Sequence, residues 1–292
     1  MLVSLVIRTL DEARYLDELL HGVKQQLSSF DVECVVIDSG STDATLEIAR
    51  EHNCVITHIS REEFSFGRSL NLGCEVAKGD ILVFVSGHCV PANPHWLQSL
   101  CDPIAQGTAQ YIYGRQLGGA ESHFSEHRIF QKYFPAHSKL PQEGFFCNNA
   151  NAAIARDAWE QHRFDEEVTG LEDMELAQRL HNEGGRIGYV ADACVYHYHS
   201  ESWRQVRRRF EREALALQKI MPQIHIGRRD RLRYTLTSIW RDWRRAYQQG
   251  VWRKKAWQIV LYRYHQYTGS YIGNHEHRRL SHAEKEKYFY PH

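Results

Sequence analysis

The chain has 292 residues, of which 42% are hydrophobic and 12% aromatic, enough for one large domain or for a domain of about 200 residues with an appendage. No stretch approaches the roughly 20 consecutive apolar residues that span a bilayer, so an integral membrane protein is not expected. The seven cysteines are odd in number and include no Cys-x-x-Cys pair. This pattern indicates neither a disulfide framework nor a zinc knuckle, and it favours a reducing cytoplasm.

Charge is distributed unevenly along the chain, although the formal net charge is zero. Residues 1–201 contain 15 Lys and Arg against 29 Asp and Glu, a net charge of −14. Residues 202–263 contain 17 against 4, a net charge of +13. A change of sign on this scale is typical of regions with different surfaces or partners. We therefore expect an acidic domain over residues 1–201 and a basic C-terminal region, rich in Trp and Arg, over residues 202–292.

The first 90 residues alternate between predicted strands and helices. The apolar run "LVSLVI" reaches charge at Arg8 without the basic start of a secretory signal, and it therefore predicts a strand. In chain order, "EARYLDELLHGVKQQL" predicts a helix, "VECVVID" a strand, "SGSTDATLEIAREH" a loop and helix, "VITHI" a strand, "GRSLNLGCEVAKG" a helix closed by Gly79, and "DILVFV" a strand. Four such alternations predict an α/β fold with a mostly parallel sheet and helices on both faces.

Ligands of such sheets bind outside the carboxyl ends of the strands, which here correspond to residues 8–12, 38–43 and 86–91. From about residue 107 to 160 the sequence is rich in Gly, His and aromatic residues, as in an acceptor-facing region or a lid. The stretch "LEDMELAQRLHNEGG" then predicts a helix, and "RIGYVADACVYHYH" predicts strands. Beyond Ser202 the apolar residues follow helical spacing among arginines, which predicts a helical appendage.

The stretch "VVIDSGSTDAT" at residues 35–45 places a carboxylate at a strand end, before a Gly/Ser turn into a helix. Asp38 is suited to accept hydrogen bonds from the base or ribose of a nucleotide while the loop amides stay free. The alternative is an ordinary strand–turn–helix connection in which Ser41 or Thr42 caps the helix. Taken alone, the stretch leaves both interpretations open.

Six stretches in order carry a resemblance to a known family. They are "VSLVIRTLDEARYLDELL", "VVIDSGSTDAT", "GRSLNLG", "GDILVFVSGHCVP", "NNANAAIARDAW" and "LEDMELAQRL". Over roughly residues 3–200 the chain resembles the family 2 glycosyltransferases, because these stretches occur in the order and spacing of that family. The resemblance implies a GT-A fold, which is a Rossmann-like, mostly parallel sheet flanked by helices. It also implies a nucleotide-sugar donor and an inverting single displacement at the anomeric carbon.

The resemblance further implies a donor site at the strand ends. By position, residues 9–12 and the carboxylate of Asp38 would hold the base and ribose, and Arg68 would lie near the nucleotide. Arg8 stands where many family members have proline. The complete set expected to bind the nucleotide-sugar is Arg8, Thr9, Asp11, Glu12, Asp38, Ser39, Arg68, Ser86 and Gly87.

Glu172 and Asp173 match the Glu-Asp pair of the family, in which the aspartate is the general base. An acceptor hydroxyl must lose its proton as it attacks, and a carboxylate within hydrogen-bond reach can accept that proton. The alternative is a solvated carboxylate that favours the first turn of its helix. We expect Asp173, with Glu172 beside it, to be catalytic.

The loop "FVSGHCVP" departs from the family pattern, which usually reads Phe-Leu-Asp-x-Asp and holds a divalent cation against the donor diphosphate. Ser86 replaces the first of these aspartates and His88 the second. Neutral imidazole binds manganese, iron, cobalt or zinc but suits magnesium poorly. His197 and His199 of "VYHYHSESW" follow the last predicted strand, and alternation along a strand would turn both towards the site. The expected metal ligands are therefore His88, His197 and His199, with Mn²⁺ favoured over Mg²⁺.

Two other interpretations of His88 stay open. As an imidazolium, it could neutralise the leaving phosphate directly and make the enzyme independent of a cation. It could instead be a structural loop histidine in a protein of the same fold that binds a nucleotide-sugar or glycan without catalysis. The retained Glu172 and Asp173 argue against that alternative function, because a mere binder needs no base.

The basic region allows several partners. Tryptophans interleaved with arginines favour a helix at an anionic membrane interface, and packing on the acidic domain or on a second copy of the chain is the alternative. No nucleic-acid-binding module is recognisable, so a nucleic-acid partner is not expected. The combined expectation is a cytoplasmic glycosyltransferase, peripheral on the inner face of the membrane or free of it. The expected acceptor is a glycan or a lipid-linked glycan of a bacterial surface polysaccharide such as lipopolysaccharide or capsule.

Overall fold

The structure is a computed structural model that describes residues 1–275. These residues form two compact units. The first contains residues 1–119, 133–167 and 172–198, and the second contains residues 120–132 and 168–171 with the described residues from 199 onwards. The division at residue 201 that the charge pattern suggests stays a prediction, and the part of its basic region after residue 275 lies outside the described residues.

The first unit is built on an eight-stranded sheet with the spatial order β3-β2-β1-β4-β7-β6-β8-β5. Its strands are β1 (Leu2–Thr9), β2 (Asp31–Asp38), β3 (Val55–His58), β4 (Ile81–Ser86), β5 (Cys89–Pro91), β6 (Tyr111–Gly118), β7 (Asn151–Ala155) and β8 (Ile187–His197). The first four are mutually parallel, as expected, whereas β7 runs antiparallel to both β4 and β6. The α/β prediction of a mostly parallel sheet with helical cover is thus confirmed.

Helices cover both faces of this sheet because alternate residues of a buried strand point to opposite sides. The helices that lie within this unit are α1 (Ala13–Lys24), α2 (Thr45–Glu51), α3 (Phe66–Val76), α4 (Trp96–Ala105), α6 (Arg156–His162) and α7 (Glu172–Asn182). Leu5 of β1 packs in one core with α1 and α4. Val6 points to the opposite face of the sheet, towards α3. A Cβ added at Gly73 of α3 would lie 2.6 Å from Cγ1 of Val6, so only glycine fits at this close approach.

Three local expectations are wrong in detail. Helix α2 begins at Thr45 and has no side-chain cap, because the Ser41 hydroxyl is used by Asp38 and by the Asp11 amide. Helix α3 ends at Val76, before Gly79, whose amide donates to the Ser4 hydroxyl at 2.7 Å. The strand β8 ends at His197, so strand alternation does not extend to His199.

The second unit is helical. It contains α5 (Phe124–Tyr133) without its last residue, together with α8 (Trp203–Ile220), α9 (Arg228–Gln248) and α10 (Trp252–His275). Ser202 starts α8 with a capping box, since its hydroxyl accepts from the Gln205 amide while the Gln205 side chain accepts from the Ser202 amide. Helices α8 and α10 approach so closely that a Cβ on Gly273 would lie 2.0 Å from the Glu211 carbonyl oxygen. Among the residues described, no helix is both long and apolar enough to cross a bilayer.

The central strands are expected to dominate the stability of the first unit. Val83 of β4 is 0% exposed and Val55 of the edge strand β3 is 44% exposed. Val83→Ala should lower the free energy of unfolding by about 2 kcal/mol, since it removes buried methyl groups and leaves a cavity. Val55→Ala makes the same chemical change at the surface and should cost less than about 0.5 kcal/mol. Denaturant unfolding of both variants measures this difference, and equal losses would contradict the assignment of the core.

Candidate functional site

The parallel register brings three strand ends to one edge of the sheet. Thr9, the last residue of β1, lies opposite Asp38, the last residue of β2. On the other side of β1, Arg8 lies opposite Ser86, the last residue of β4. Residues that are far apart in sequence therefore meet at the edge where ligands of such sheets bind.

Asp38 organises the loop that follows it. Its side chain is 1% exposed, and it accepts hydrogen bonds from the amides of Gly40 and Ser41, both at 3.0 Å, and from the Thr9 hydroxyl at 3.1 Å. The expectation that these amides stay free for a ligand is wrong, since they satisfy the buried carboxylate instead. Binding of base or ribose by Asp38 itself stays a prediction.

Asp11 ties the β1–α1 loop to the β2–α2 loop. It has a φ of 55°, a conformation that Asp tolerates better than most residues. Its amide donates to the Ser41 hydroxyl at 2.9 Å, and its carboxylate accepts from the Thr42 amide at 2.7 Å. Ser39 adds a bond from its hydroxyl to the Thr9 carbonyl oxygen at 3.1 Å. The two loops are thereby held in one arrangement before any ligand binds.

Glu12 contacts the loop histidine. Its Oε1 lies 2.8 Å from Nδ1 of His88, and both side chains are partly exposed. Gly87 makes this contact possible, because a Cβ at that position would lie 2.9 Å from Cγ of Glu12. A carboxylate accepts hydrogen bonds and does not donate them, so Nδ1 of His88 carries a proton, and in the neutral form of the ring the lone pair lies on Nε2.

His197 stacks on His88, with ring centroids 5.0 Å apart and ring planes inclined by 26°. Its Nδ1 lies 2.8 Å from Oε1 of Gln116, whose Nε2 donates to Oδ1 of Asn148 at 2.8 Å. The backbone amide of Ala150 donates to the same Oδ1 and so fixes the orientation of the Asn148 amide. Gln116 must then accept with its oxygen, which places the His197 proton on Nδ1 and the lone pair on Nε2.

The two histidines fit a divalent cation that tolerates nitrogen ligands. Each imidazole has its Nδ1 held by a second residue, which is the usual arrangement of a metal-binding histidine. Such a donor set suits manganese, iron, cobalt or zinc better than magnesium. His199 belongs to the second unit, where its Nδ1 lies 2.8 Å from Glu126 Oε1 and Arg209 lies 2.7 Å from the same oxygen. Its part as a third ligand stays a prediction.

Glu172 and Asp173 begin α7, and both are buried. Arg8 Nη1 lies 3.1 Å from Glu172 Oε1, and it also donates to the Phe66 carbonyl oxygen at 3.2 Å. The sequence thus places an arginine at the end of β1 that neutralises Glu172. A paired Glu172 leaves Asp173 as the carboxylate of this pair that can accept a proton.

The surroundings of Asp173 favour its protonated form. Its burial and the negative charge of Glu172 raise the pKa of Asp173 to about 7, against hydrogen bonds from the Asn149 and Met174 amides, which lower it. A carboxylate with a pKa near 7 is a far better proton acceptor than an exposed one, and about half of it is ionised at neutral pH. The geometry therefore matches the requirement for a general base.

Two residues predicted to bind the nucleotide-sugar, Arg68 and Ser86, make few contacts with the rest of the candidate site. Arg68 is exposed on the first turn of α3, with its Nη2 3.6 Å from Glu63 Oε1. Ser86 is partly buried at the end of β4, where its amide donates to the Ala150 carbonyl oxygen. Their contacts with a donor stay predictions.

Sequence reasoning missed Gln116 and the roles of Asn148 and Asn149. Gln116 is 81 residues away from its partner His197, so no local pattern signals the contact. The two asparagines lie in the stretch "NNANAAIARDAW", and that motif was the available signal for them.

Comparisons with known proteins now identify the family. The model of glycosyl transferase family 2 matches residues 4–163, which is more than half of the chain. The chain belongs to this family. It is a glycosyltransferase, and the sequence-based recognition is confirmed. The matched region contains the Asp38 loop and His88, whereas Glu172, Asp173 and the second unit's long helices lie beyond it.

The chain spans between about half and seven tenths of the length of the curated relatives it matches. The O-antigen chain rhamnosyltransferase RfbN of Salmonella typhimurium is 26% identical over 223 residues, which cover 72% of this chain and 70% of that protein. The O-antigen chain rhamnosyltransferase WbaN of Salmonella anatum is 27% identical over 205 residues, covering 66% and 65%. Validoxylamine A glucosyltransferase of Streptomyces hygroscopicus is 27% identical over 221 residues, covering 63% and 52%.

Solved structures share the fold. The mannosyltransferase PcManGT from Pyrobaculum calidifontis, in complex with GDP-Man and Mn²⁺, matches 92% of this chain and 84% of its own with a TM-score of 0.61 and 19% identity. Residues 1–349 of Staphylococcus aureus TarS, in complex with UDP, match 75% of this chain and 66% of their own with a TM-score of 0.51 and 19% identity. Both are GT-A glycosyltransferases, so the predicted GT-A fold is confirmed.

The hydrogen bond to Gln116 is expected to set the tautomer of His197. Nitrogen-15 NMR of the imidazoles should show His197 protonated on Nδ1, because Gln116 offers only an oxygen to that atom. Gln116→Leu should abolish this preference and populate the other tautomer. Gln116→Glu should restore Nδ1 protonation, since a carboxylate also accepts there. A His197 tautomer that is unchanged in Gln116→Leu would contradict the assignment.

Proposed function

We propose that this glycosyltransferase is inverting and moves a sugar from a nucleotide-sugar to a hydroxyl of a glycan or lipid-linked acceptor. The observation that carries the proposal is the buried carboxylate of Asp173, with a pKa raised to about 7 beside the ion pair of Arg8 and Glu172. An inverting transfer needs one base placed beside the acceptor, and the buried Asp173 supports that role.

The reaction balances with Asp173 as proton acceptor. The acceptor oxygen attacks the anomeric carbon as its proton moves to a carboxylate oxygen of Asp173, and the bond from that carbon to the donor phosphate oxygen breaks. The nucleotide departs with the bonding electron pair as a phosphate anion. Attack opposite to the leaving group inverts the configuration. Arg8 pairs with Glu172, so that Asp173 is the carboxylate left to take the proton.

The donor is proposed to lie along the carboxyl ends of β1 and β2. The loops of Asp11 and Asp38 are held together before binding, so little conformational entropy is lost when a nucleotide is bound there. Nucleotide complexes of the structural relatives, with UDP and with GDP-Man, support a nucleoside diphosphate as the carrier.

His88 and His197 are proposed to hold a divalent cation, Mn²⁺ in preference to Mg²⁺. When bound, such a cation supplies positive charge to the departing phosphate. Glu12 and Gln116 would keep the two rings in the tautomer that offers Nε2. The Mn²⁺ complex of PcManGT supports a cation in this fold. The rival proposal is that His88 acts as an imidazolium paired with Glu12 and that the enzyme needs no cation.

The acceptor and location are proposed from the relatives and from charge. Two relatives are named as O-antigen chain rhamnosyltransferases, which supports an acceptor in a bacterial surface polysaccharide. The net charge of +13 over residues 202–263 supports a cytoplasmic protein that contacts an anionic membrane peripherally. Self-association through this region is the alternative.

Asp173→Asn is expected to lower turnover by about 10²–10⁴-fold while donor binding is retained, because the amide cannot accept the proton. In the unchanged enzyme the rate should rise with pH through about 7, since the ionised form of Asp173 is the active one. Steady-state kinetics and donor titration measure both effects.

Asp157→Asn is the matched control, because Asp157 also lies in the first turn of a helix and also accepts from the amide that follows it. It is exposed, and its substitution should leave the rate unchanged. Near-normal turnover of Asp173→Asn would remove Asp173 from the role of base.

His88→Ala separates the proposals for the histidine pair. With a bound cation, chelation by EDTA should abolish activity, Mn²⁺ should restore it better than Mg²⁺, and His88→Ala should weaken Mn²⁺ binding measured by calorimetry by about 10- to 100-fold. His95→Ala, at an exposed histidine before α4, is the control and should change neither property.

An imidazolium gives the opposite pattern. Chelation should then have no effect, and His88→Asp should abolish activity, because it places a negative charge against phosphate. With a cation, His88→Asp should instead support activity with Mg²⁺, since a carboxylate suits that ion. Full activity of His88→Ala in EDTA would refute both proposals.

A further inference from the structure

The second unit contains a groove lined by arginines. A cavity of about 490 Å³ opens between α5 and α9. Its lining residues are Arg128, Trp240, Arg241, Arg244, Arg245 and Gln248. The arginines at 241, 244 and 245 follow the three- and four-residue spacing of one helix face, so their guanidinium groups converge on one opening.

The positive charges of the three groove arginines on α9 are not balanced locally. Asp242 is the carboxylate of this part of α9, but it is buried and accepts from Arg263 at 2.8 Å and from the Ser125 hydroxyl at 2.7 Å. Arg128 Nε lies 3.9 Å from Asp242 and has no hydrogen-bond partner. Within residues 1–275, no ion pair joins the arginines at 241, 244 and 245 to a carboxylate. Like charges held this close repel one another, and a bound anion would remove that cost.

An exposed apolar stripe runs along the same helix. Leu232, Leu236 and Trp240 recur every four residues, and each is more than half exposed. Arg244 lies one turn beyond Trp240, with its guanidinium 5.9 Å from that ring. Exposed leucines and tryptophan in water are unfavourable unless something covers them. Helix α9 therefore presents a hydrocarbon-binding stripe that leads into a cluster of phosphate-binding side chains.

We propose that Arg128 and the arginines at 241, 244 and 245 form a site for the phosphate headgroup of a membrane lipid, with Leu232, Leu236 and Trp240 in contact with its hydrocarbon. Guanidinium groups bind phosphate oxygens through paired hydrogen bonds, which distinguishes such a site from a diffuse positive surface. The proposal rests on the membrane contact of the second unit and is independent of the transfer reaction.

Vesicle flotation with two charge-matched variants tests the site. The groove variant is Arg241→Gln/Arg244→Gln/Arg245→Gln, and the control variant is Arg229→Gln/Arg233→Gln/Arg253→Gln, which removes three exposed arginines that do not line the groove. The vesicles contain phosphatidylcholine alone, or with phosphatidylglycerol, or with phosphatidic acid, whose phosphate is a terminal monoester.

The control variant should lose about fivefold in affinity per charge for either anionic vesicle, the ordinary effect of a surface charge. The groove variant should lose at least about tenfold more than the control on phosphatidic acid, because paired hydrogen bonds are lost as well as charge. Arg244→Lys, which keeps the charge without the planar fork, should also weaken phosphatidic acid binding, whereas Arg233→Lys should not. These single variants keep the test valid if a triple variant fails to fold by circular dichroism.

Equal losses in the two triple variants would overturn the site and leave a diffuse electrostatic contact. Lack of binding of the unchanged protein to any anionic vesicle would overturn it as well. Inorganic diphosphate is the soluble probe. If it binds with the same dependence on the groove arginines while vesicles do not bind, the ligand is a soluble phosphate and the lipid assignment is wrong. Activity of the groove variant on a soluble acceptor should equal that of the control, so a failure of this site is distinguishable from a failure of the proposed transfer reaction.

Discussion

The parallel hydrogen bonding of β1 with β2 and β4 is the constraint on which the site depends. It ends three strands at one edge of the sheet, and so places Arg8, Thr9, Asp38 and Ser86 in neighbouring positions. The loops that leave this edge are then held by carboxylates that accept backbone amides, the buried Asp38 and the exposed Asp11. Asp38 does this for its own loop. A site built in this way is rigid where a nucleotide is expected, and the cost of ordering it is met during folding.

One arginine offsets part of the negative charge of the buried carboxylate pair on α7. Two adjacent buried carboxylates repel each other, and such repulsion raises a carboxyl pKa. Arg8 lies 3.1 Å from Glu172, while burial and the charge of Glu172 raise the pKa of Asp173 to about 7. The family's usual proline at this position has no side-chain charge. Arg8 therefore links the end of β1 to Glu172 at the start of α7, a contact that spans 164 residues of sequence.

The sequence predicts the local parts of this architecture and fails at the long-range ones. The parallel strands β1 to β4 are apolar, β-branched runs separated by amphipathic helices, and such patterns depend on neighbouring residues alone. The antiparallel place of β7 depends on pairing across about 70 residues with β4 and about 40 residues with β6, which no periodicity encodes. The same limit applies to the site. The sequence reveals His88 because it departs from a motif, but it assigns the partner of His88, Glu12, to the nucleotide, since a contact across 76 residues has no local signal.

The histidine pair changes the electrostatics that the family resemblance implies for the donor phosphates. An Asp-x-Asp motif supplies two negative charges, which bind a hard cation tightly but also cancel most of its charge. Here Ser86 carries none, a neutral His88 carries none, and the carboxylate of Glu12 contacts His88 at Nδ1. A cation bound by neutral imidazoles keeps more of its charge for the departing phosphate, while losing affinity for magnesium. The hydrogen bonds of Glu12 and Gln116 to Nδ1 act in the opposite direction, because they make each Nε2 more basic and so recover part of the affinity. In the proposed cation site, the negative charge would therefore lie one residue away from the donor phosphates instead of directly against them.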